Sequence, residues 1–313
     1  MATIDVLGLG AVAVDDILFL PSFPKADTKM PILGRERHPG GLSGTALVAA
    51  RRMGRAAAYA GTLGDDELSR FILDGFQAEG VSIEHVVRRN GTRPFHSTIL
   101  VEQANHTRTI LLNTQDVAGA DPAAPSEQII RGARVLLVDH IGMEGMVRAA
   151  RIARSAGIPV VADLERDAGP LALELISLVD HLILPFEFAR KLSGGTSARD
   201  IVQRLWTDGR AAVVITRSEE GSWYQSAEEP GLFFHQPAFR VDPVDTNGCG
   251  DVFHGVYAAG LAESLPIAER VRLASAVAAL KATQPGGQQG IPMRQTAERF
   301  LSERSTEARR APA

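Results

Sequence analysis

The sequence predicts an α/β fold with a central, mostly parallel sheet flanked by helices and a second, smaller β-sheet. The main observation is a rhythm that begins at Arg134, where short apolar runs alternate with amphipathic helical stretches. Such runs are typical of parallel strands that are covered by helices on both faces. A second observation is the alternation of polar and apolar residues over 95–102, which predicts a strand with one buried face.

The first half of the chain is expected to supply one edge of the central sheet and the whole small sheet. Apolar runs predict buried strands at 4–10 and 56–61, and periodic apolar positions predict helices at 44–53 and 68–79. The segments expected to be extended and more polar are 31–39, 85–88, 95–102 and 108–114.

The second half is expected to alternate strands and helices. The predicted strands are 135–138, 158–162, 181–184 and 211–215, followed by a hairpin from 223–224 and 232–239. The predicted helices are 145–156, 171–178, 186–192, 198–207, 252–263 and 267–283. The polar tail from Ser302 onward is expected to fray.

Polar side chains follow two of these strands. Because ligands of open α/β sheets bind beyond the carboxyl ends of parallel strands, Asp139, His140 and Asp163 are candidates for a pocket. We take His140 as a substrate contact. For Asp163, capping of a strand end is an equally good interpretation.

Composition excludes several classes of protein. With 313 residues the chain is long enough for one large domain or two smaller ones, and we expect one domain over 1–313. The net charge of −4 gives no general affinity for nucleic acid. No apolar run reaches 18 residues, so no membrane span is expected, and we see no signal peptide. One cysteine excludes an internal disulfide and favours the cytoplasm.

A glycine-rich turn before the helix at 252–263 predicts an anion site. Gly248 and Gly250 allow close approach of a ligand to the backbone, and the helix N-terminus offers free N–H groups. Asp251 lies where the anion would arrive. A carboxylate at that place suits proton abstraction from an attacking hydroxyl, and the alternative is a simple helix cap.

This turn, read as D-T-N-G-C-G-D, resembles the second signature of the ribokinase-like (PfkB) carbohydrate kinases, D-T-x-G-A-G-D, with Cys249 in place of alanine. The family's first signature, G-G-x-x-x-N-x-A, is matched by Gly40 and Gly41, with Thr45 at the asparagine. The text from Phe234 to Pro292 looks most like the sulfofructose kinase branch.

The resemblance implies a ribokinase-like fold whose small sheet is a lid, with segments near 15–40 and 93–114. It implies that Asp251 is the catalytic base and that the amides of Gly248, Cys249 and Gly250 form the anion hole. Gly10 followed five residues later by Asp15 fits the family's sugar-binding aspartate, whereas Asp16 is expected in a surface turn. The full set of expected substrate contacts is Asp15, Gly40, Gly41, Thr45, Asn113 and His140.

Two nucleotide-side motifs depart from the family pattern. T-x-G-x-x-G is present as Thr216, Ser218 and Gly221, with serine at the middle glycine. In N-x-x-E, the asparagine position holds Pro185 and the glutamate position holds Phe188, with Glu187 one residue away. The cofactors implied are ATP, held by Thr216, Ser218, Gly221 and Gly286, Mg²⁺ near Glu187, and a monovalent cation such as K⁺ held by Asp245 and the loop 285–290.

The predicted activity is transfer of the γ-phosphoryl group of ATP to a hydroxyl of a small sugar, which is a ketohexose, a ribose-like sugar or an anionic sugar. A homodimer through the lid is expected. The alternatives are a nucleoside kinase, which needs an aromatic such as Phe19, Phe23 or Phe95 to stack on the base, and a non-catalytic sugar-binding regulator. A G-x-G-x-x-A match at 8–13 suggests a dehydrogenase only weakly, because no helix follows it.

Two further expectations concern charge and reactivity. The lid segments carry six basic side chains that would attract an anionic sugar, and the alternative is that they are solvated edges of the lid: Arg35, Arg37, His38, Arg93, His96 and Arg108. Cys249, ahead of a helix N-terminus, is expected to be a reactive thiol with a lowered pKa, and the alternative is an inert space-filler.

Overall fold

The computed structural model describes residues 3–105, 107–166, 169–304 and 309–310. The strands in these ranges are β1 Ile4–Gly8, β2 Ala13–Leu20, β3 Gly34–Gly40, β4 Ala57–Tyr59, β5 Thr62–Leu63, β6 Val87–Arg88, β7 Phe95–Glu102, β8 Thr107–Asn113, β9 Ala133–Val138, β10 Val160–Asp163, β11 His181–Pro185, β12 Ala212–Arg217, β13 Gly221–Ser226, β14 Phe233–Gln236 and β15 Arg309–Arg310. The helices are α1 Leu42–Arg52, α2 Glu67–Glu79, α3 Glu127–Arg131, α4 Met143–Ser155, α5 Pro170–Leu178, α6 Phe186–Ser193, α7 Ala198–Leu205, α8 Cys249–Ala262, α9 Ile267–Ala282 and α10 Arg294–Ser302.

Nine of the strands in the described ranges form one large sheet, in the order β15-β14-β13-β12-β11-β10-β9-β1-β4. The strands from β12 to β4 in this order are parallel to one another. The remaining three at the other edge pair antiparallel. The central, mostly parallel sheet predicted from the βαβα rhythm is confirmed.

Two hydrophobic layers cover the large sheet because alternate residues of each strand face opposite sides. Val135 and Leu137 of β9 pack in one layer with α1, α2, α8, α9 and α10. Leu136 and Val138 of the same strand pack in the other layer with α3, α4, α5, α6 and α7. The apolar runs of the sequence therefore reflect strands that are buried on both faces.

The small sheet has the order β3-β2-β7-β8. β2 pairs antiparallel with β3 and parallel with β7, so that Asp15 lies opposite both His38 and Ser97. The sheet is tied to the large one at two points, since β2 follows β1 directly and β3 leads into α1. The expected small separate sheet is confirmed, but 85–88 is not part of it: β6 pairs with β5 in a two-stranded ladder.

The C-terminal part differs from the sequence-based prediction in two places. Helix α10 was not expected, because its text is polar and Ala297 is its one fully buried residue in the described part. Residues 309–310, within the segment expected to fray, pair with β14. Residues 305–308 and 311–313 of that segment lie outside the described part of the chain.

The packing of α1 against α8 brings two helix N-termini to the edge where the parallel strands end. The two helices approach closely at Gly255, where an added Cβ would lie 2.0 Å from the Ala46 carbonyl oxygen. Both helices carry glycine immediately before their first residue, Gly41 for α1 and Gly248 for α8. Among the residues that the structure describes, no helix is long and apolar enough to cross a bilayer.

Candidate active site

A cleft lies between the small sheet and the N-termini of α1 and α8. Its empty volume, which includes the part open to solvent, is about 550 Å³. The residues that line it are Ala13, Asp15, Gly40, Gly41, Thr45, Ser97, Ile99, Ile110, Asn247, Gly248, Asp251 and Gly287. Six residues expected from the sequence to bind substrate or catalyse are thus brought together: Asp15, Gly40, Gly41, Thr45, Gly248 and Asp251.

The turn that leads into α8 is held by the side chain of Asp245. One carboxylate oxygen accepts from the N–H of Asn247 at 2.9 Å, and the other accepts from the N–H of Gly286 at 3.0 Å. Gly248 then adopts a φ of 77°, a left-handed conformation that favours glycine. These contacts hold the turn in a conformation in which Gly248 and Asp251 line the cleft.

Fewer backbone amides are free for the expected anion site than the sequence indicated. The first turn of a helix leaves N–H groups without helical acceptors, which applies here to Gly250 and Asp251. The N–H of Cys249, by contrast, donates to the carbonyl oxygen of Thr246 at 3.3 Å. The amide of Cys249 is therefore engaged in the turn, although it was expected to bind the anion.

Asp251 has an altered proton affinity. Burial raises the pKa of its carboxyl group to about 8, and the negative charges of Asp163 and Glu165 add to the rise. A base with a pKa near the working pH is well matched to taking a proton from a hydroxyl. The environment that raises this pKa is built by residues at the carboxyl ends of neighbouring strands.

Asp163, at the end of β10, forms with Glu165 an acidic cluster that acts electrostatically on Asp251. Its Oδ2 atom is buried and has no hydrogen-bond partner among the described residues. The Nδ1 atom of His254 is 3.3 Å away, but the same nitrogen lies closer, at 2.8 Å, to the carbonyl oxygen of Gly250. Burial raises the pKa of Asp163 well above its usual value, with the charge of Glu165 as the next cause.

Asp139, at the end of β9, has a structural task. Its carboxylate accepts from the N–H of Ala11 at 2.6 Å and from the N–H of Ile141 at 2.8 Å. Burial raises the pKa of Asp139 to about 6, although these hydrogen bonds oppose the rise. The residue fixes the loop between β1 and β2, which carries Asp15 into the cleft.

The residues expected to bind the sugar lie close together. Burial raises the pKa of Asp15, and a hydrogen bond with Ser97 opposes that rise. A Cβ on Gly40 would lie 2.9 Å from Asp15 Oδ2. Gly41 has a φ of 88°, and a Cβ there would lie 2.5 Å from the Cα of Val12. The two glycines let α1 begin directly beside the carboxylate.

A model of the pfkB family of carbohydrate kinases matches residues 4–294. The chain belongs to this family. A ribokinase of Bacillus subtilis is 27% identical over 295 residues, covering 94% of this chain and 98% of the relative. Fructokinase-1 of Zea mays is 25% identical, covering 81% and 85%. The Arabidopsis thaliana ribokinase, solved with ribose and ATP, superimposes with a TM-score of 0.83 at 21% identity, covering 96% and 99%.

Membership of the pfkB family confirms the ribokinase-like fold and sugar-kinase activity expected from the two signatures. The relatives include both ribokinases and fructokinases, so they leave the sugar open. The roles of individual site residues are therefore argued from the geometry alone.

Two of the expected substrate contacts lie outside the lining of the cleft. Asn113, at the end of β8, is exposed, and its side-chain oxygen accepts from the N–H of Gln115 at 2.9 Å. His140 is buried and accepts from Arg166 Nε at 2.7 Å. Burial lowers the pKa of His140 to about 4, and the Arg166 charge adds to this. His140 thus contacts Arg166 and does not line the described cleft.

Asp16 is not in a surface turn. Its carboxylate is bound by Arg37 through Nε at 2.8 Å and a terminal nitrogen at 2.9 Å, and by His96 Nε2 at 2.8 Å. The hydrogen bond from Arg37 is the main reason that the pKa of Asp16 falls well below its usual value. Strand alternation explains the difference, since Asp15 and Asp16 face opposite sides of β2.

The six basic residues expected to attract an anion are each within 4 Å of a carboxylate. Arg35, Arg37 and His96 contact Asp16. The other three pairs are His38–Glu36, Arg93–Asp66 and Arg108–Asp245. The positive charge of these six side chains is therefore largely neutralised, which weakens the argument for an anionic sugar.

The residues expected to bind the nucleotide lie at the ends of the next strands, β11 and β12. Thr216 of β12 is in register with Pro185 of β11. Ser218 has a φ of 39° at the start of a 3₁₀ turn, and Gly221 follows with a φ of 93°. Arg217 lies over the Phe186 ring at 4.3 Å. None of these residues lines the described cleft, so their contact with ATP stays a prediction.

The residues expected to hold metals are engaged elsewhere. Glu187 is exposed and pairs with Arg190 at 2.9 Å, one turn along α6. Asp245 uses both carboxylate oxygens to hold backbone N–H groups, one of them on Gly286. The Asp245 carboxylate, expected to bind K⁺ together with the loop 285–290, is therefore already hydrogen-bonded to that loop and to its own turn.

Cys249 does not have the surroundings of a reactive thiol. It is half-buried at the first position of α8, and its Sγ donates to the Ala278 carbonyl oxygen at 3.5 Å. Burial raises the pKa of this thiol, although the charge of Lys281 opposes the rise. The structure favours the space-filling interpretation.

Sequence reasoning missed several residues of this region. Ser97 and Ile99 line the cleft together with Ile110, Asn247 and Gly287. The alternation along β7 was visible in the sequence, but which face it turns to the ligand was not. Lys281 was also missed, and it left a signal: it is a lone charge in the apolar stretch AVAALKA, and its side chain is fully buried.

Proposed function

We propose that this pfkB-family protein transfers the γ-phosphoryl group of ATP to a hydroxyl of a small sugar, with Asp251 as the general base. The observation that supports this most is the placement of Asp251 in a glycine-lined cleft at the N-terminus of α8, with Asp15 lining the same cleft. One carboxylate can orient the sugar, and the other can receive its proton.

In the proposed reaction, Asp15 accepts hydrogen bonds from sugar hydroxyls, and Gly40 and Gly41 let the sugar lie against the backbone. Asp251 takes the proton of the attacking hydroxyl. The amides of Gly248 and Gly250 donate to the transferring phosphoryl group, together with the positive end of α8. Positioning and charge stabilisation of this kind are what phosphoryl transfer needs from a protein.

Magnesium is the metal that this chemistry implies, and the acidic cluster of Asp163 and Glu165 fits it better than Glu187 does. Asp163 Oδ2 is buried without a hydrogen-bond partner in the described part of the chain, and Glu165 acts electrostatically on Asp251. We propose that Asp163 and Glu165 would hold it. The described residues include no group of three or more His, Cys, Asp or Glu side chains that could hold a metal. Magnesium usually keeps phosphate and water ligands, so that two carboxylates can be enough. When bound, magnesium neutralises charge on the phosphates.

The nucleotide is proposed to bind beyond the ends of β11 and β12, against Thr216, Ser218, Gly221 and Gly286. We further propose that the whole chain is a single domain and that its small sheet acts as a lid. The Arabidopsis relative was solved with ribose and ATP. A cytoplasmic location, where ATP is available, completes this proposal.

The nucleoside-kinase alternative loses support from the geometry. Among the described residues that line the cleft there is no aromatic side chain; the apolar ones are aliphatic. Phe95 is buried, and Phe23 is 52% exposed at a site outside this lining. Stacking on a base is therefore not provided where a nucleoside would lie.

A homodimer through the small sheet also belongs to the proposal. Leu111 and Leu112 on the edge strand β8 are 54% and 50% exposed, and Ile32 and Leu33 beside β3 are exposed as well. Exposed apolar side chains at a sheet edge are typical of a protein–protein contact. Light scattering on the purified protein, with Leu111→Lys as the variant, tests this.

The activity is tested by measuring ADP formation with ATP, Mg²⁺ and a panel of ribose, fructose, a sulfonated ketohexose, a phosphorylated ketohexose and adenosine. We expect turnover with at least one sugar, lowered at least about a hundredfold in the Asp251→Asn variant. If a sugar binds in calorimetry but no panel member stimulates ADP formation, the protein is a binding regulator and the proposal is wrong.

A further inference from the structure

The fully buried ammonium group of Lys281 lies against the turn that presents Gly248 to the cleft. Lys281, near the C-terminus of α9, has 0% exposure. Its Nζ donates to the carbonyl oxygen of Asp245 at 2.8 Å and also to the carbonyl oxygen of Asn247. A lysine is almost never fully buried unless it is paired. Here its partners are main-chain oxygens of the catalytic turn.

We infer that the Lys281 ammonium does the work that the family resemblance assigned to a monovalent cation, and that this kinase needs no K⁺. The inference rests on the proposed function. Main-chain carbonyl oxygens are the ligands by which proteins hold K⁺, and the expected ion would lie against the turn at Asp245. The carbonyl oxygens of Asp245 and Asn247 are instead occupied by Lys281.

The carboxylate of Asp245 is not free for an ion either. Its two oxygens accept from the N–H groups of Asn247 and Gly286, so the carboxylate links the turn to the loop that follows α9. The side chain and the carbonyl oxygen of the same residue are thus both satisfied within the chain. The expected residues are present, but they do not fit an added cation.

The peptide plane explains how a charge behind the turn affects chemistry in the cleft. The carbonyl oxygen of Asn247 and the N–H of Gly248 belong to one peptide group, and in a trans peptide they point in opposite directions. A cation held on the oxygen fixes this plane and directs the N–H away from Lys281. Gly248 lines the cleft, so its N–H is held ready for the phosphoryl group, and charge on the oxygen strengthens it as a donor.

Lys281 is therefore a positioning residue that acts through the amide of Gly248. A built-in ammonium differs from a bound ion in one measurable way, since it cannot be removed by dialysis. The activity of the wild type should be the same in K⁺, Na⁺ or choline chloride at equal ionic strength.

The experiment compares the wild type with Lys281→Ala, Lys281→Met and the control Lys191→Met, which removes an exposed lysine on α6. Lys281→Ala opens space beside the two carbonyl oxygens. We expect its kcat/KM to fall roughly ten- to hundredfold, the range for losing charge-assisted hydrogen bonds, and to be restored in a saturable way by K⁺ or NH₄⁺ but not by choline. Lys281→Met fills the space and should not be rescued. The control should match the wild type.

A second readout does not depend on turnover. Thermal unfolding of Lys281→Ala should shift upward with K⁺ relative to choline chloride, whereas that of the wild type should not. Activation of the wild type by K⁺ would overturn the inference, as would a Lys281→Ala variant that keeps full activity or that loses it without rescue by K⁺ or NH₄⁺. If Lys281→Ala does not fold, the wild-type comparison decides. A wild type without any sugar-dependent turnover would instead contradict the proposed function.

Discussion

The cleft and the nucleotide side of this protein lie along the same edge of the large sheet, yet they are built differently. In the cleft, Asp251 faces open space, and Asp163 behind it has a buried oxygen without a hydrogen-bond partner in the described chain. Around Thr216, the charged groups are paired with each other, as in Glu187 with Arg190 and Arg217 with Glu220. Unpaired carboxylates mark the place where a ligand must supply the missing partner.

This difference indicates that the chemical step depends on a few buried residues near α8, whereas nucleotide contacts depend on loops and main-chain groups. Substitutions in the two regions should therefore differ in size and in the parameter that they change. The following predictions test that difference, from the largest effect to the smallest.

The first prediction concerns the base. Asp251→Asn should lower kcat by roughly 10²–10⁴-fold, the range for removing a general base, while the affinities for ATP and sugar measured by calorimetry stay close to those of the wild type. A variant that turns over within a few-fold of the wild type would show that Asp251 only caps the helix.

The second prediction concerns pH. Asp251 acts as a base only when it is deprotonated, and its pKa is raised to about 8. The value of kcat/KM should therefore rise about tenfold per pH unit below pH 8 and level off above it. The groups that set this pKa are Asp163, Glu165, Asp139 and His254, and of the charges Asp163 contributes most.

Asp163→Asn removes the largest of these charges and should move the midpoint of the profile to lower pH. The profiles are measured at limiting MgATP without excess Mg²⁺, so that kcat/KM reports the protein before the metal binds, in buffers of constant ionic strength. A profile that is flat between pH 6 and 9, or a midpoint that moves upward in Asp163→Asn, would contradict the assignment.

The third prediction separates the sugar from the nucleotide. Asp15→Ala should raise the KM for the sugar roughly 10- to 100-fold, as expected when a charged acceptor of hydrogen bonds is lost, and should leave the KM for ATP almost unchanged. Asp16→Asn is the matched control, because Asp16 belongs to the ion pairs with Arg37 and His96. This variant should lower the unfolding temperature and leave both KM values close to those of the wild type. An equal rise of both KM values in Asp15→Ala would place Asp15 outside the sugar site.

The sequence could predict what is contiguous in the chain. The turn from Asp245 to Asp251 carries its own glycines, its helix start and its carboxylate, so the base and the anion site could be recognised from seven residues. The parallel sheet was predictable for a similar reason, since each buried strand is a local apolar run.

Features that depend on register or on distant contacts could not be predicted. Whether Asp15 or Asp16 faces the cleft depends on the pairing of β2 with β3 and β7, which no local pattern specifies. Lys281 meets the carbonyl oxygen of Asn247 across 34 residues of sequence. His140 was chosen because it follows a strand end, but its ring accepts a hydrogen bond from Arg166, 26 residues later.

The smallest expected effect tests the nucleotide side directly. Glu187→Gln should change kcat and the KM for ATP by less than about fivefold, because an exposed ion pair contributes at most about 1 kcal/mol. Glu165→Gln is the informative counterpart, since the Glu165 charge acts on Asp251, on Asp163 and on Asp139. It should raise the Mg²⁺ concentration needed for half-maximal activity, whereas Glu187→Gln should not. The reverse result would return the metal to Glu187 and would mean that the nucleotide side, although its charges are paired in this structure, opens that pair when ATP binds.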